Sequence, residues 1–366
     1  MSFDLPPSAA PPSALPVPRS NKVRVLVVED SPVVRDFLTH ILNLVPDFQV
    51  VGVAHDGEQA VAKVCDCRPD VVTMDIHMPK MDGFEATRRI METQATPIVI
   101  VSASSTVLEA VTACRALGAG AVAVEARPFG FGHPQFTQSA EKLVETVRLM
   151  AGVKVVKRWP WRGSDAVAAR PVTPVSSGSE IRIAAIGAST GGPAAIATIL
   201  TALPKDLPFP MVIVQHICDG FTAGLGEWLA QASGLPVHIA TDGELLRAGH
   251  VYIAPSGVHT AVTSASRILL DAGPPENGVR PAVARLFRSV ASAFGKHAAA
   301  VLLTGMGVDG AEALKLIRDR GGVTIAQDEA SSVVHGMPGA AIRLGAAAHV
   351  LPPESIGPFL RNLAGK

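Results

Sequence analysis

The sequence predicts an α/β chain built as two doubly wound parallel-sheet domains joined by a linker. Three observations predict this. The 366 residues are 48% hydrophobic but only 4% aromatic, so the cores are aliphatic, as in parallel sheets covered on both faces. Short apolar runs alternate with stretches of helical spacing over 22–148 and again over 181–366, the pattern of βαβ units. Residues 149–180 break the alternation with prolines, serines and basic residues. Length alone suggests two or three domains.

Residues 1–21 hold Pro6, Pro7, Pro11, Pro12, Pro16 and Pro18 among alanines and serines, the composition of a disordered lead-in. Short apolar strands follow at 23–28, 50–54, 71–74, 98–101 and 121–124, with helical spacing at 33–44 and between the later strands. In such a sheet function sits at the carboxyl ends of the strands. The first strand ends in Glu29-Asp30, the third in Asp75 and the fourth in Ser102-Ala103; Arg127-Pro128 follows the fifth. Three carboxylates converging from two adjacent strand ends repel one another unless a cation sits among them, and hard oxygens with open positions suit Mg²⁺. Asp75, central in the cluster, is then placed to attack a phosphoryl group. Solvated loop acids are the bland alternative, and joint occurrence at four strand ends counts against it.

On these residues, 22–148 resemble a response-regulator receiver domain. The resemblance implies a flavodoxin-like fold in which Asp75 accepts phosphate from a histidine kinase. It implies that Glu29, Asp30 and Asp75, with the carbonyl of His77, organise Mg²⁺, and that Ser102 and Arg127 form the switch. Two positions depart from the family. Its lysine before the proline is Arg127 here, which keeps the charge but changes shape and reach. Its aromatic switch residue is Val124 here.

The linker, 149–180, carries Lys154, Lys157 and Arg158 ahead of Trp159-Pro160-Trp161. A solvated tether and a docking spot fit this composition equally well.

In the second domain, 181–366, strands are expected at 181–186, 211–215, 237–240, 251–254, 300–303 and 323–326. The first leads into Ile186-Gly187-Ala188-Ser189-Thr190-Gly191-Gly192-Pro193. Gly187 and Gly191 flank Ser189 in the G-x-S-x-G pattern of a sharp strand-to-helix turn that lifts a serine clear of the sheet. A dinucleotide fingerprint would need glycine at 189 and an acidic end to the strand 211–215; neither is present. Ser189 therefore reads as a reactant. It needs a base and a carboxylate to orient that base. His216 ends the strand 211–215, and Asp309 follows the strand 300–303 within Thr304-Gly305-Met306-Gly307-Val308-Asp309-Gly310. His259, after Ala254-Pro255-Ser256-Gly257, is the strongest rival base and a candidate pocket residue. His238 and His349 sit in strand-like runs, and His335 is loop-borne.

The whole second domain is similar to the catalytic domain of the chemotaxis protein-glutamate methylesterases. The matching pieces are the Ser189 motif, Gln215-His216, Gly220-Phe221-Thr222, the run ending in Pro255, Arg280-Pro281, the Gly305 and Gly307 loop with Asp309-Gly310, Gln327-Asp328, and Gly336-Met337-Pro338. The resemblance implies a Rossmann-like domain with Ser189, His216 and Asp309 as a triad. Thr190 and Met306 would help form the oxyanion site, and glutamine deamidation would accompany ester hydrolysis. The implied substrates are methyl-accepting chemotaxis receptors, and no cofactor is implied for the esterase. Ile217 and Cys218 stand where the family has methionine and proline after the histidine, and Ala284 stands where it has an aspartate.

The expected function is therefore a phosphorylation-regulated serine esterase. A non-catalytic, receiver-controlled interaction module is the alternative; a nucleotide-binding regulator is a weaker one. Composition narrows the partners. Net charge is zero over the chain, which argues against a sequence-independent grip on nucleic acid. The second domain has 14 Lys plus Arg against 13 Asp plus Glu, so no basic DNA-reading face is expected. Cys65, Cys67, Cys114 and Cys218 form neither a disulfide ladder nor a zinc pattern. No stretch has the form of a signal peptide or a membrane span, so a cytoplasmic protein without membrane insertion is expected.

Overall fold

The computed structural model of the chain describes residues 22–102, 107–153, 155 and 180–364. The proline-rich lead-in at 1–21, Lys154, and the linker residues 156–179 with Lys157, Arg158, Trp159 and Trp161 lie outside the described residues.

The first domain runs β1 (Val23–Val28), α1 (Pro32–Asn43), β2 (Phe48–Ala54), α2 (Gly57–Cys67), β3 (Val71–Met74), α3 (Gly83–Thr93), β4 (Ile98–Ser102), α4 (Val107–Ala119), β5 (Ala123–Ala126) and α5 (Phe136–Ala151). Its sheet is wholly parallel, in the order β2-β1-β3-β4-β5. β3 and β4 are buried along their whole length. Helices cover both faces of these central strands, which is why they read as continuous apolar runs and not as alternating ones. Asp56 and Asp82 start α2 and α3, accepting from the amides of Gln59 and Glu85. Asp82 is thus a helix cap and takes no part in the acidic cluster. The domain extends past the boundary expected at 148, because α5 continues to Ala151.

The second domain runs β6 (Ile183–Ala188), α6 (Gly192–Thr201), β7 (Met211–Gln215), α7 (Thr222–Ser233), β8 (Val237–Ile239), β9 (Val251–Ile253), β10 (His259–Val262), β11 (Ile268–Asp271), α8 (Val283–Phe294), β12 (Ala298–Leu302), α9 (Ala311–Asp319), β13 (Val323–Gln327), α10 (Met337–Arg343), β14 (His349–Leu351) and α11 (Pro353–Leu363). The main sheet is parallel, ordered β14-β13-β12-β6-β7-β9-β8. The antiparallel hairpin β10–β11 was not expected from the sequence, and β14 only as the strand-like run at His349. The chain leaves β6 toward β7 on one side and returns to β12 on the other. The sheet therefore reverses its winding beside β6, where a crevice opens at the carboxyl ends.

The two cores merge. α4 of the first domain packs on α6 and α7 of the second. Val111 and Cys114 are buried within the second domain's core, and Cys218 and Phe221 within the first domain's. The α4 face that joins the domains is thus apolar. No helix among the described residues is long and apolar enough to cross a membrane.

Candidate active site

Ser189 stands immediately after β6, in the crevice where the winding reverses. Its turn needs Gly191, whose φ is 78°, a region closed to most side chains. Gly305 approaches from the loop after β12; a Cβ there would lie 2.6 Å from the Ser189 Cβ. The turn is held by backbone contacts. The Ser189 amide donates to the Thr304 carbonyl at 3.0 Å, and the His216 amide donates to the Ala188 carbonyl at 2.9 Å. Gln215 Nε2 donates to the carbonyls of both Ser189 and His216 at 2.8 Å, tying the two segments together. Thr304 Oγ1 donates to the Thr190 carbonyl at 2.9 Å, while the Thr304 amide donates to Gln327 Oε1 at 2.8 Å. Gln215, Thr304 and Gln327 position the site, yet the sequence marked Gln215 and Gln327 only as motif members.

Ser189 and His216 face one cavity of about 370 Å³. His216 Nε2 lies 3.1 Å from Asp309 Oδ2. The contact is close, but its alignment falls short of a hydrogen bond, and no hydrogen bond joins Ser189 to His216 among the described residues. Asp309 is 4% exposed. Burial pushes its carboxyl up, but His216 and the amides of Val283 and Ala284 outweigh that and hold it below the ordinary range. It is therefore an anion beside an imidazole.

Thr190 lines the same cavity. The Met306 side chain is 46% exposed and does not line it. Thr190 thus borders the cavity where an oxyanion would form, and Met306 does not.

His259 does not line this cavity. It lies in β10, 3% exposed, with Nε2 2.9 Å from the Pro274 carbonyl and Nδ1 3.2 Å from the Ala282 amide. Both ring nitrogens are engaged, so the imidazole is neutral, donates through Nε2 and cannot serve as a base for Ser189. His238 stacks on His250, His349 packs on Phe359, and His335 lies near Ser332.

In the first domain the structure gathers Glu29, Asp30 and Asp75, whose carboxylate oxygens lie within 4.8 Å of one another. Glu29 and Asp75 are buried and Asp30 is exposed. Burial, then the charge of Asp75, pushes the Glu29 carboxyl up to about 7. Burial likewise raises Asp75. Arg127 supplies partial compensation, 3.1 Å from Glu29 and 3.7 Å from Asp75. Its Nε is buried without an acceptor. Ser102, 2% exposed, ends β4, and its carbonyl accepts from the Arg127 amide at 2.9 Å. His77 is exposed beside Asp75. Two carboxyls with raised affinity for protons, built only of oxygen donors, make a pocket suited to a hard divalent cation.

The receiver also walls the Ser189 cavity. Glu125 of β5 and Lys142, Thr146 and Leu149 of α5 line it beside Ser189, His216 and Arg280. Val124, at the position of the family's aromatic switch, is 7% exposed on that wall.

The family described as CheB methylesterase matches residues 184–360, and the response regulator receiver domain matches residues 25–131. A protein-glutamate methylesterase/protein-glutamine glutaminase of Nitrosospira multiformis is 52% identical over 346 residues, covering 94% of this chain and 98% of its own length. One from Geobacter metallireducens is 51% identical over 345 residues, covering 93% and 99%. The solved CheB methylesterase catalytic domain of Thermotoga maritima is 39% identical, covering 50% of this chain and 100% of that one, with a TM-score of 0.49. A receiver domain followed by a methylesterase domain, at this identity over nearly the whole length, places the chain in the protein-glutamate methylesterase/protein-glutamine glutaminase family.

Proposed function

We propose that this chain is a receiver-controlled serine hydrolase that removes methyl esters from glutamate side chains of chemotaxis receptors and deamidates glutamines there. The observation that carries the reading is the meeting of Ser189 and His216 on one cavity, with buried Asp309 3.1 Å from the imidazole.

Ser189 Oγ attacks the side-chain carbonyl of the substrate. His216 takes the serine proton and returns it to methanol, or to ammonia when the substrate is glutamine. Asp309 meets the ring through Nε2, which leaves Nδ1 as the basic nitrogen. Asp309 thereby holds the tautomer and stabilises the imidazolium. The oxyanion falls to donors around Thr190 and, by family resemblance, Met306, in the manner of preorganised groups aimed at developing charge. Water then releases glutamate by the same proton transfers in reverse. The receptor gains one negative charge per ester hydrolysed.

Asp75 is the phosphoacceptor, and a histidine kinase is the phosphodonor. Glu29, Asp30 and Asp75, with the carbonyl of His77, would hold Mg²⁺. When bound, that ion neutralises the charge shared by the acids and the incoming phosphoryl group. Arg127 offers its unpaired Nε to a phosphoryl oxygen, and Ser102 turns toward that group. Size argues that the receiver restrains the esterase. The cavity of about 370 Å³ admits one glutamate side chain, but a helix is about 10–12 Å across and cannot enter it. The receiver lines one side of that cavity and so narrows the approach of a receptor helix that presents its residue. The expected compartment is the cytoplasm, with no nucleic-acid partner.

The test is methanol release from methylated receptor. Full-length protein should release it, faster when phosphorylated, and a folded Ser189→Ala protein should not. Retention of a tenth of the activity in that variant would remove Ser189 from the mechanism.

A further inference from the structure

Asp309 is held by more than its partner histidine requires. Oδ2 accepts from the Val283 amide at 2.7 Å and faces His216. Oδ1 accepts from the Ala284 amide at 3.1 Å and from Asn277 Nδ2, also at 3.1 Å. The first two amides come from the N-terminus of α8. The third donor is a side chain from a separate turn, itself exposed, that reaches in to a buried carboxylate.

Asn277 and Gly278 are the central pair of a tight hairpin. Glu276 and Val279 exchange both backbone hydrogen bonds at 3.0 Å, and φ is 54° at Asn277 and 77° at Gly278. Asn-Gly is the pair that suits a turn with both central φ values positive. The turn thus explains why asparagine is tolerated there, but not why its amide points at Asp309. The turn is also anchored on both sides. Glu276 forms a bidentate ion pair with Arg288 of α8, and His259 bridges Pro274 and Ala282 on either side of it. A donor held in place this way loses little freedom when it bonds.

We propose that Asn277 is a positioning residue for the hydrolysis, fixing the rotation of the Asp309 carboxylate so that Oδ2 faces His216. The inference rests on the reading of Asp309 as the group that orients His216. Carboxylate rotation about Cβ–Cγ is soft, and the two α8 amides enter from a single helix end. A third donor from another segment narrows the range. It also does so without adding charge. The charged and titratable groups around the pair are His216 and His259, the mutually compensating Glu276 and Arg288, and, around the cavity, Arg280, Cys218, Glu125 and Lys142. A neutral donor leaves that balance intact while drawing electron density from Oδ1.

Two variants of the full-length protein test this. Asn277→Gly keeps the turn, since glycine accepts positive φ, but removes the donor. Its kcat should fall about tenfold, the size expected for a hydrogen bond to a charged group, with KM and the thermal midpoint unchanged. The acidic limb of its kcat/KM profile should move to higher pH, because Oδ2 then holds His216 as imidazolium more strongly. Asn277→Asp sets a second carboxylate against Oδ1 and should move that limb further in the same direction. Wild-type kcat and an unmoved limb in Asn277→Gly overturn the proposal. So does a raised KM at unchanged kcat, which would make Asn277 a substrate contact, or a lowered thermal midpoint with an unmoved limb, which would make it merely structural. Asp309→Ala is the reference: full activity there removes the underlying reading, whatever Asn277 does.

Discussion

Lys142 of the receiver and Cys218 of the esterase meet across the domain boundary, Nζ lying 3.2 Å from Sγ. Cys218 Sγ in turn donates to Glu125 Oε2 at 2.9 Å. Burial, then the charge of Glu125, pushes the thiol up to about 12, so it sits there as a neutral donor. Cys218 belongs to the same loop as His216, and Glu125 and Lys142 line the Ser189 cavity. The receiver wall is therefore attached to the loop that carries the base. The departure from the family's proline at this position is what makes the attachment possible, since proline has no donor.

Loosening that attachment should release the esterase. Gly224 of α7 abuts α4, and a Cβ there would lie 2.5 Å from the backbone of Ala110. Gly224→Leu and Lys142→Ala should each raise the rate of the unphosphorylated protein about fivefold or more, the range of a typical coupling between sites. The fragment 181–366 should be at least as fast. Methanol release measures all three, and equal rates for the fragment and the unphosphorylated chain would dismiss occlusion.

Ser189 and His216 should behave as one unit. Each alanine variant should lose on the order of 10⁴-fold or more in kcat, and the double variant little beyond that. An additive double variant would mean that the two groups serve separate steps.

His259→Ala should act on stability. It strands the buried Ala282 amide and frees the Pro274 carbonyl, which sits on an exposed residue, at a cost of about 1–3 kcal/mol. Urea unfolding reads this directly. A variant as stable as the parent would show that the loop before α8 needs no such pin.

Phosphate uptake at Asp75 should require a divalent cation. Asp30→Ala should abolish labelling by acetyl phosphate, because one of three gathered carboxylates is lost. Label retained on Asp75→Asn would place the acceptor elsewhere.

The receiver should lose stability as pH rises when no divalent cation is present. Glu29 is raised from 4.5 to about 7 in the fold, so the folded state binds the extra proton between these values. The contribution of Glu29 is then fully present below about 4.5 and is lost as pH rises through about 7. Mg²⁺ favours the ionised form and should flatten the profile. Calorimetry at pH 5 and pH 8, with and without Mg²⁺, checks both halves; a midpoint that rises with pH in chelator would contradict the raised proton affinity of buried Glu29.

The sequence by itself determined the two parallel sheets and the groups at their strand ends. Glu29, Asp75, Ser189 and His216 are legible because each closes an apolar run, and in a parallel sheet every run ends on the same edge. Asp309 is legible less directly, through the glycines that precede it. The β10–β11 hairpin escaped notice, and β14 showed only as a strand-like run at His349, since strands of three or four residues hardly differ from loop. Only the tertiary structure decided what surrounds these groups. Gln215 bonds to two carbonyls, His259 faces away from the cavity, Met306 turns its side chain outward, and Asn277 reaches Asp309 32 positions later. The merging of the two cores, with Cys218 meeting Glu125 across 93 positions, belongs to the same class. Periodicity and motif spacing record interactions between near neighbours in the chain. Contacts such as these depend on which surfaces packing brings together, and no local pattern encodes that.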